Sequence, residues 1–243
     1  MNRRSLTLLL ATLPLAAAAP AGLAATGTAS SAGAADPLSD APEGPPPAAA
    51  VPVPEAATYA EALARWRSPA ELNAWIGARF RYDMQRALQL SETQRQRNGH
   101  LPITAPADFF ARPSGVCVDL SRFAVETLRA IAPETKPVYL MIEFDPVTLS
   151  GQTLRRHWLA GLQDAEGRRW FFADSKRPGH LAGPYADTQA FIAEYAPYRG
   201  RRIVSFQERG GYERQLRRRA GRTPQGAGEA ASGAASASAP RGD

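Results

Sequence analysis

The sequence predicts an α+β domain in which one amphipathic helix packs on an antiparallel sheet. A helical period dominates residues 117–131, where apolar side chains recur every three or four positions. Three strand signals follow, at 137–144, 157–162 and 168–174. A long helix followed by consecutive strands is typical of the α+β class.

The predicted domain covers residues 58–208. Residues 1–25 resemble a secretory signal peptide, because Arg3 and Arg4 precede an apolar run that ends in small residues. We therefore expect the protein to be exported, and to be periplasmic or secreted. The apolar run is short and contains Pro14, so no transmembrane helix is expected in the mature chain.

Residues 26–57 and 209–243 consist mainly of small and polar residues. They contain too little apolar surface to offset the entropy of ordering, which predicts a disordered Ala/Pro-rich tether and a disordered tail. Residues 55–208 hold 20 basic and 17 acidic residues, whereas residues 209–243 carry a net charge of +4. This distribution argues against a nucleic-acid-binding core; the basic tail either meets anionic surfaces or is simply solvated.

Helices are predicted in the first half of the domain, and capping residues or prolines mark where they begin. Ser68 and Pro69, for example, provide an N-cap and a proline at the first helical position. The predicted helical segments are residues 59–66, 69 to about 82, 106–110 and 117–131, with a polar loop or helix end over 91–99.

Strands are predicted in the second half. The continuous apolar run at 137–144 suits a central strand, and residues 157–162 and 168–174 form a hairpin around a short turn. Residues 178–184 are interpreted as a loop, 188–195 as a helix and 202–206 as a last strand.

Cys117 is the only cysteine, and it lies in the first turn of the amphipathic helix, after a turn marked by Gly115. A thiol reacts as its thiolate, which the N–H groups and positive dipole end of a helix start stabilise. An exported chain with one cysteine cannot form an intramolecular disulfide. The thiol is therefore either a small buried hydrophobe or a reactive group, and we interpret it as a candidate nucleophile.

The predicted hairpin places His157 opposite Asp174. If its turn is centred on Ala165 and Glu166, the two residues pair directly, with Cβ atoms roughly 4.5–5.5 Å apart. The carboxylate can then hold an imidazole N–H. A register shift of one residue would put the two side chains on opposite faces of the sheet.

Cys117, His157 and Asp174 provide the three groups that thiol catalysis needs. The imidazole takes the thiol proton and later gives one to the leaving amine, while the carboxylate orients the imidazole and stabilises its charge. Taken singly, His157 could instead be a half-buried strand residue, and Asp174 a turn former or a helix cap.

A Gly-Val-Cys sequence at a helix start, a histidine 40 residues later and an aspartate 17 residues after that resemble the bacterial transglutaminase-like superfamily. The resemblance covers about residues 72–175. It implies a papain-like fold, with Cys117 as nucleophile, His157 as base and Asp174 as orienting carboxylate. It also implies a thioester intermediate, which water resolves in a peptidase and an amine resolves in a transglutaminase.

Members of this superfamily complete the oxyanion hole with the N–H of the nucleophile and an upstream side chain. The backbone of Cys117 would supply the first donor, and Trp75 is a candidate for the second, with core packing as its alternative. His100 and His180 lie in predicted loops and are expected to be exposed, although His180 competes as the base if the register fails.

No cofactor and no metal are expected. Asp108, Asp119 and Asp145 invite a calcium proposal by analogy with some exported relatives, but they lack the clustered spacing of a calcium loop. A zinc site needs more ligands than one cysteine and three scattered histidines provide.

Together these features predict an exported, monomeric, cysteine-dependent amide hydrolase that acts on a protein or peptide of the cell envelope. The alternatives are transglutaminase-type acyl transfer to amines and an inactive binding or scaffold domain of the same fold. A binding domain would keep the groove without an activated thiol, so thiol reactivity separates the enzymes from the scaffold.

Overall fold

Two helices cover opposite faces of a five-stranded antiparallel sheet in the computed structural model, which describes residues 39–98 and 101–213. The signal peptide predicted at residues 1–25, the start of the predicted tether, His100 and most of the predicted tail lie outside the described residues. Within the described ranges, no helix combines the length and apolar character that crossing a membrane requires.

Seven α-helices are found in the described residues, and most follow a capping residue. The predicted N-cap of the second helix is confirmed, since the Ser68 side chain accepts a hydrogen bond from the Glu71 N–H. The helices are α1 (Tyr59–Arg65), α2 (Pro69–Arg79), α3 (Met84–Gln89), α4 (Glu92–Asn98), α5 (Pro106–Ala111), α6 (Cys117–Ile131) and α7 (Thr188–Arg199). Helix α4 occupies most of residues 91–99, which the sequence predicts as a loop or helix end, and α3 lies just before them in a stretch without a predicted element.

The strands form two sheets. A short parallel pair precedes α6, and the large sheet has the order β6-β5-β4-β3-β7 with every neighbouring pair antiparallel. The strands are β1 (Arg81–Tyr82), β2 (Ser114–Gly115), β3 (Val138–Leu149), β4 (Gln152–Gln163), β5 (Arg169–Phe172), β6 (Ala182–Tyr185) and β7 (Ile203–Arg209).

Strands β3 and β4 are longer than predicted because the chain continues through Pro146. The pairing is irregular between Glu143 and Val147, which accommodates a proline that cannot donate a hydrogen bond to the ladder. Ser150 and Gly151 then close the hairpin with φ angles of 48° and 72°. Strand β6 lies where the sequence predicts a loop.

Helix α6 packs on one face of the large sheet and α7 on the other. Phe123 and Leu128 of α6 belong to a buried cluster that includes Trp158 and Ala160 of β4. A second cluster joins α7 to the opposite face, where the Phe191 ring stacks on the ring of Phe171 in β5. The predicted mixed fold, with the cysteine-bearing helix on an antiparallel sheet, is therefore confirmed.

Residues 39–57 contain no helix or strand, yet they lie against the domain. Ser39 and Asp40 are buried, and the indole N–H of Trp66 donates to the Pro54 carbonyl at 3.1 Å. This differs from the disordered tether that the composition predicts for residues 26–57. The segment has few large apolar side chains, but its carbonyl and carboxylate groups find donors on the domain, which composition does not reveal.

Candidate active site

Cys117 is the first residue of α6, directly after the extended Val116. Strand β2 brings the chain there alongside β1, pairing Gly115 with Tyr82. Cys117 is 7% exposed and lines a cleft of about 300 Å³. Other residues lining this cleft include Asp40, Tyr82, Arg156, Trp158 and Tyr212.

A buried ion pair fixes the start of α6. The Asp119 carboxylate accepts from Arg86 Nε at 2.6 Å and from the Val116 N–H at 3.1 Å. A further bond of 2.8 Å comes from the Thr104 N–H. Burial opposes ionisation, but these donors outweigh it and hold the pKa of Asp119 below its usual value.

Gly115 is needed because Asp119 approaches the backbone closely. A Cβ atom at position 115 would lie 2.9 Å from the Cβ and the Oδ2 of Asp119, which is shorter than a van der Waals contact. The glycine before the cysteine therefore makes room for the carboxylate that holds the helix start in place.

His157 contacts Asp174 through Nε2, which lies 3.0 Å from Oδ1. The two side chains do meet, but the predicted register is wrong by one residue. Strand β4 pairs Ala160 with Phe172, because the turn extends to Arg168, whose carbonyl accepts from the Asp164 N–H.

Ala173 explains how the pair forms in the shifted register. Continued as a strand, that register would point His157 and Asp174 to opposite faces. Strand β5 ends at Phe172, however, and Ala173 takes a left-handed φ of 56°. The chain leaves the ladder there, and Asp174 reaches the imidazole.

Asp174 is held by donors on three sides. Its Oδ2 accepts from the Tyr195 hydroxyl at 2.9 Å, and its Oδ1 accepts from the Lys176 N–H at 3.0 Å as well as facing His157. The Tyr195 hydroxyl in turn accepts from Arg199 of α7 at 3.0 Å. The carboxylate orientation is thus set by α7 and by the loop after β5.

Asp40 is the residue that the sequence does not reveal. Its Oδ2 lies 3.3 Å from His157 Nδ1, a contact that is an ion pair rather than an aligned hydrogen bond. Its Oδ1 accepts from the buried guanidinium of Arg199. One ligand-type atom each of Asp40, Cys117 and His157 lies within 4.8 Å of the others.

These charges decide the protonation of the imidazole. Burial disfavours the charged form, but Asp40 and Asp174 outweigh it and raise the pKa of His157 well above its usual value. Burial also opposes ionisation of the two carboxylates, while His157 and Arg199 hold the pKa of Asp40 and of Asp174 well below the usual range. Two carboxylates therefore face one imidazolium and the guanidiniums of Arg199 and Arg177.

Tyr82 lines the same cleft as Cys117. Burial, with further contributions from Asp40 and Cys117, raises the pKa of Tyr82 well above its usual value. Its hydroxyl therefore remains a neutral hydrogen-bond donor. Trp75 does not share this position, since its ring stacks on Phe110 at 5.1 Å within the aromatic core.

Asp40, Cys117 and His157 form the group in the described residues whose atoms are close enough to share a metal ion. Zinc accepts all three ligand types and takes a fourth. The Arg199 guanidinium, however, binds the same Asp40 carboxylate, so a divalent ion there would meet a buried positive charge. The cluster fits an imidazolium better than a metal ion.

The other candidate residues lie apart from this cluster. His180 is exposed, as predicted. Of the three aspartates considered for calcium, Asp119 and Asp145 each pair with an arginine, and Asp108 is an exposed first-turn residue of α5.

Comparison of the chain with protein-family models, with curated proteins and with solved structures finds no match.

Proposed function

We propose that this chain is a cysteine-dependent amide hydrolase of transglutaminase-like type, with Cys117 as nucleophile, His157 as general acid and base, and Asp174 as orienting carboxylate. The orientation of the imidazole carries the proposal. Nε2 of His157 contacts Asp174, so Nδ1 is the ring nitrogen that remains for the group of atoms containing the Cys117 sulfur. A nucleophile, a base and a group that orients the base are the elements of a catalytic triad.

The reaction proceeds in two halves. The Cys117 thiolate attacks the amide carbonyl carbon, and the protonated His157 gives its proton to the leaving amine as the C–N bond breaks. A thioester on Cys117 remains. His157 then takes a proton from water, whose oxygen attacks the thioester, and the C–S bond breaks to release the carboxylic acid and restore the Cys117 thiolate beside the protonated His157.

Two donors stabilise the oxyanion that forms during attack. The Cys117 N–H is among those that a helix start leaves without an intrahelical partner. The Tyr82 hydroxyl, across the β1–β2 pair, takes the role of the upstream side chain, in place of the core residue Trp75.

The substrate is a protein or peptide of the cell envelope, and the enzyme reaches it after export directed by residues 1–25. The resemblance of residues 72–175 to the transglutaminase-like superfamily supports a papain-like core around the site. The cleft beside Cys117 is lined by side chains of both charges and by aromatic rings, which suits a polypeptide better than an apolar ligand.

Thiol reactivity tests the proposal without a known substrate. The rate at which iodoacetamide modifies Cys117 is measured by mass spectrometry below about pH 8.5, the usual pKa of a free thiol. The native protein should react faster than the same chain in denaturant, because an imidazolium lies beside the sulfur. His157→Gln should remove this advantage, and equal rates in both proteins would refute the assignment.

Product analysis then separates the reaction types. Envelope proteins incubated with the native enzyme should acquire new amino termini, which Cys117→Ser should not produce. Incorporation of a labelled amine without such termini would identify acyl transfer to amines instead. A folded protein with neither product and with no thiol activation would be a binding domain.

A further inference from the structure

Residues 39–43, here called the strap, lie across the candidate active site like a bound peptide. Two strap carbonyls accept hydrogen bonds that any peptide could make: Ser39 from Lys176 Nζ at 3.1 Å and Asp40 from Ser175 Oγ at 2.8 Å. The N–H of Glu43 donates to the Lys176 carbonyl. Main-chain bonds of this kind are how peptide-binding sites hold an extended segment.

The strap side chains add a preference for acidic groups. The Glu43 carboxylate pairs with Lys176 Nζ at 2.9 Å and accepts from the Tyr198 hydroxyl at 2.8 Å. The Asp40 carboxylate reaches deeper, to Arg199 and His157. Each acidic side chain of the strap thus meets a cation that belongs to the domain.

Asp40 occupies a position that the proposed chemistry needs empty. It lies against Nδ1 of His157, the nitrogen that must exchange a proton with Cys117 and with the leaving amine. A carboxylate there competes with the Cys117 thiolate for the imidazolium. Asp40 therefore behaves as an occupant of the site rather than as part of its machinery.

The pocket beneath Asp40 is built to receive a carboxylate. The Arg199 side chain is buried, and its Nε has no hydrogen-bond partner among the described residues. Without Asp40, this guanidinium and the His157 imidazolium would face an unfilled space. Buried cations in such a position require an anionic partner.

We propose that Arg199, beside His157, forms a substrate subsite for a carboxylate side chain that leaves Nδ1 of His157 open for the chemistry, and that the strap fills this subsite as an internal substitute for an acidic peptide. This inference rests on the proposed function, because it names the substrate class of the same site. Tethering gives the strap an effective concentration on the order of millimolar, so a substrate must displace it.

The test uses the full chain with Asp40→Ala and two fluorescent pentapeptides. One is acetyl-Ser-Asp-Ala-Pro-Glu-amide, the strap sequence, and the other carries Asn in place of Asp. The Asp peptide should bind the variant about ten- to a hundredfold more tightly than the Asn peptide, as expected for a hydrogen-bonded charge pair. The native protein should bind either peptide at least about tenfold more weakly than the variant binds the Asp peptide.

Asp145→Asn is the matched control, since it removes another arginine-paired carboxylate far along the chain and should leave peptide binding as in the native protein. Equal affinity of the Asp40→Ala variant for both peptides would overturn the subsite. Equal affinity of the native protein and the variant for the Asp peptide would overturn the strap as its occupant.

A second protein avoids the risk that Asp40→Ala does not fold. A specific protease site is inserted within residues 48–50, which are exposed, and the folded chain is cut there while Asp40 is kept. The Asp peptide should displace the released N-terminal fragment, and the Asn peptide should not. If neither peptide displaces it while His157→Gln still slows thiol modification, the subsite fails and the proposed function stands.

Discussion

His157 combines the two properties that the proposed mechanism requires of one residue. Asp174 orients its ring and favours its protonated form despite complete burial, and Asp40 adds to this effect while the strap is bound. An imidazolium beside a thiol favours the thiolate, which is the reactive species. The same charges make the stability of the protein depend on pH.

Stability should be greatest between the acid and alkaline titrations of this cluster. The raised pKa of His157 means that the stabilisation from its imidazolium is present below pH 6.5, the usual pKa of histidine. It is lost as the pH rises through the raised value. The lowered pKa values of Asp40 and Asp174 mean that the stabilisation from these two carboxylates is present above pH 3.8, their usual pKa. It is lost as the pH falls through the lowered values. Urea denaturation across this range measures the free energy of unfolding. His157→Gln should remove the alkaline decline, and an unchanged decline would assign it to another group.

Tyr82→Phe should slow amide hydrolysis about 10²–10³-fold with little change in stability, because it removes the proposed oxyanion donor and keeps the ring. The measurement is the rate of new amino-terminus formation, with the free energy of unfolding as the check on folding. Tyr212→Phe is the control, since Tyr212 lines the same cleft. An equal loss in both variants would mean that the hydroxyl of Tyr82 has no special role.

The sequence identifies three of the four residues that meet at the candidate active site and misses Asp40. Cys117, His157 and Asp174 stand out because their residue types and order match one chemistry. Asp40 lies in a segment whose composition predicts disorder, and its position depends on a buried guanidinium far along the chain. No local pattern reports such a contact.

At the level of elements, the start of α6 is the most constrained part of the site. The Arg86–Asp119 ion pair holds the backbone that carries Cys117, and Gly115 leaves the space for it. Asp119 is fully buried, although its position in the helical pattern places it off the apolar face. A first-turn aspartate is ordinarily an exposed dipole partner, so the sequence alone does not distinguish this one.

Gly115→Ala should lower the free energy of unfolding by about 1–3 kcal/mol, because the new Cβ displaces the Asp119 carboxylate. The rate of Cys117 modification should fall with it, since the helix start moves. Gly211→Ala is the matched control, as no atom lies within 4 Å of the position its Cβ would take. A Gly115→Ala protein with native stability and native thiol reactivity would show that Asp119 can move away from a Cβ at position 115 with no loss of free energy.

The hairpin illustrates how an element can be predicted while its register is not. Both strands are recognisable from their apolar pattern, but the turn that fixes their pairing holds one residue more than predicted. A single left-handed residue, Ala173, then restores the His157–Asp174 contact. Alanine carries no signal for that conformation, so the compensation could not be read from the sequence.

At the scale of the whole molecule, the Asp40–Arg199 pair joins the start of the described chain to α7 near its end. Asp40→Asn alone, or Arg199→Gln alone, should lower the free energy of unfolding by about 3–5 kcal/mol, because each removes the direct counter-ion of a buried charge. The double variant should lose less than the two single losses combined. Additive losses in thermal or urea denaturation would mean that the two groups do not stabilise each other.

The pairing of Asp40 with Arg199 also sets an order of events when the chain is made. The two residues are 159 positions apart, and synthesis proceeds from the amino terminus. Cys117, His157 and Asp174 all leave the ribosome before Arg199, so the strap has no guanidinium to bind until α7 has been made. A chain that stops short of α7 would therefore retain the three residues of the proposed triad but would lack the guanidinium that binds the strap.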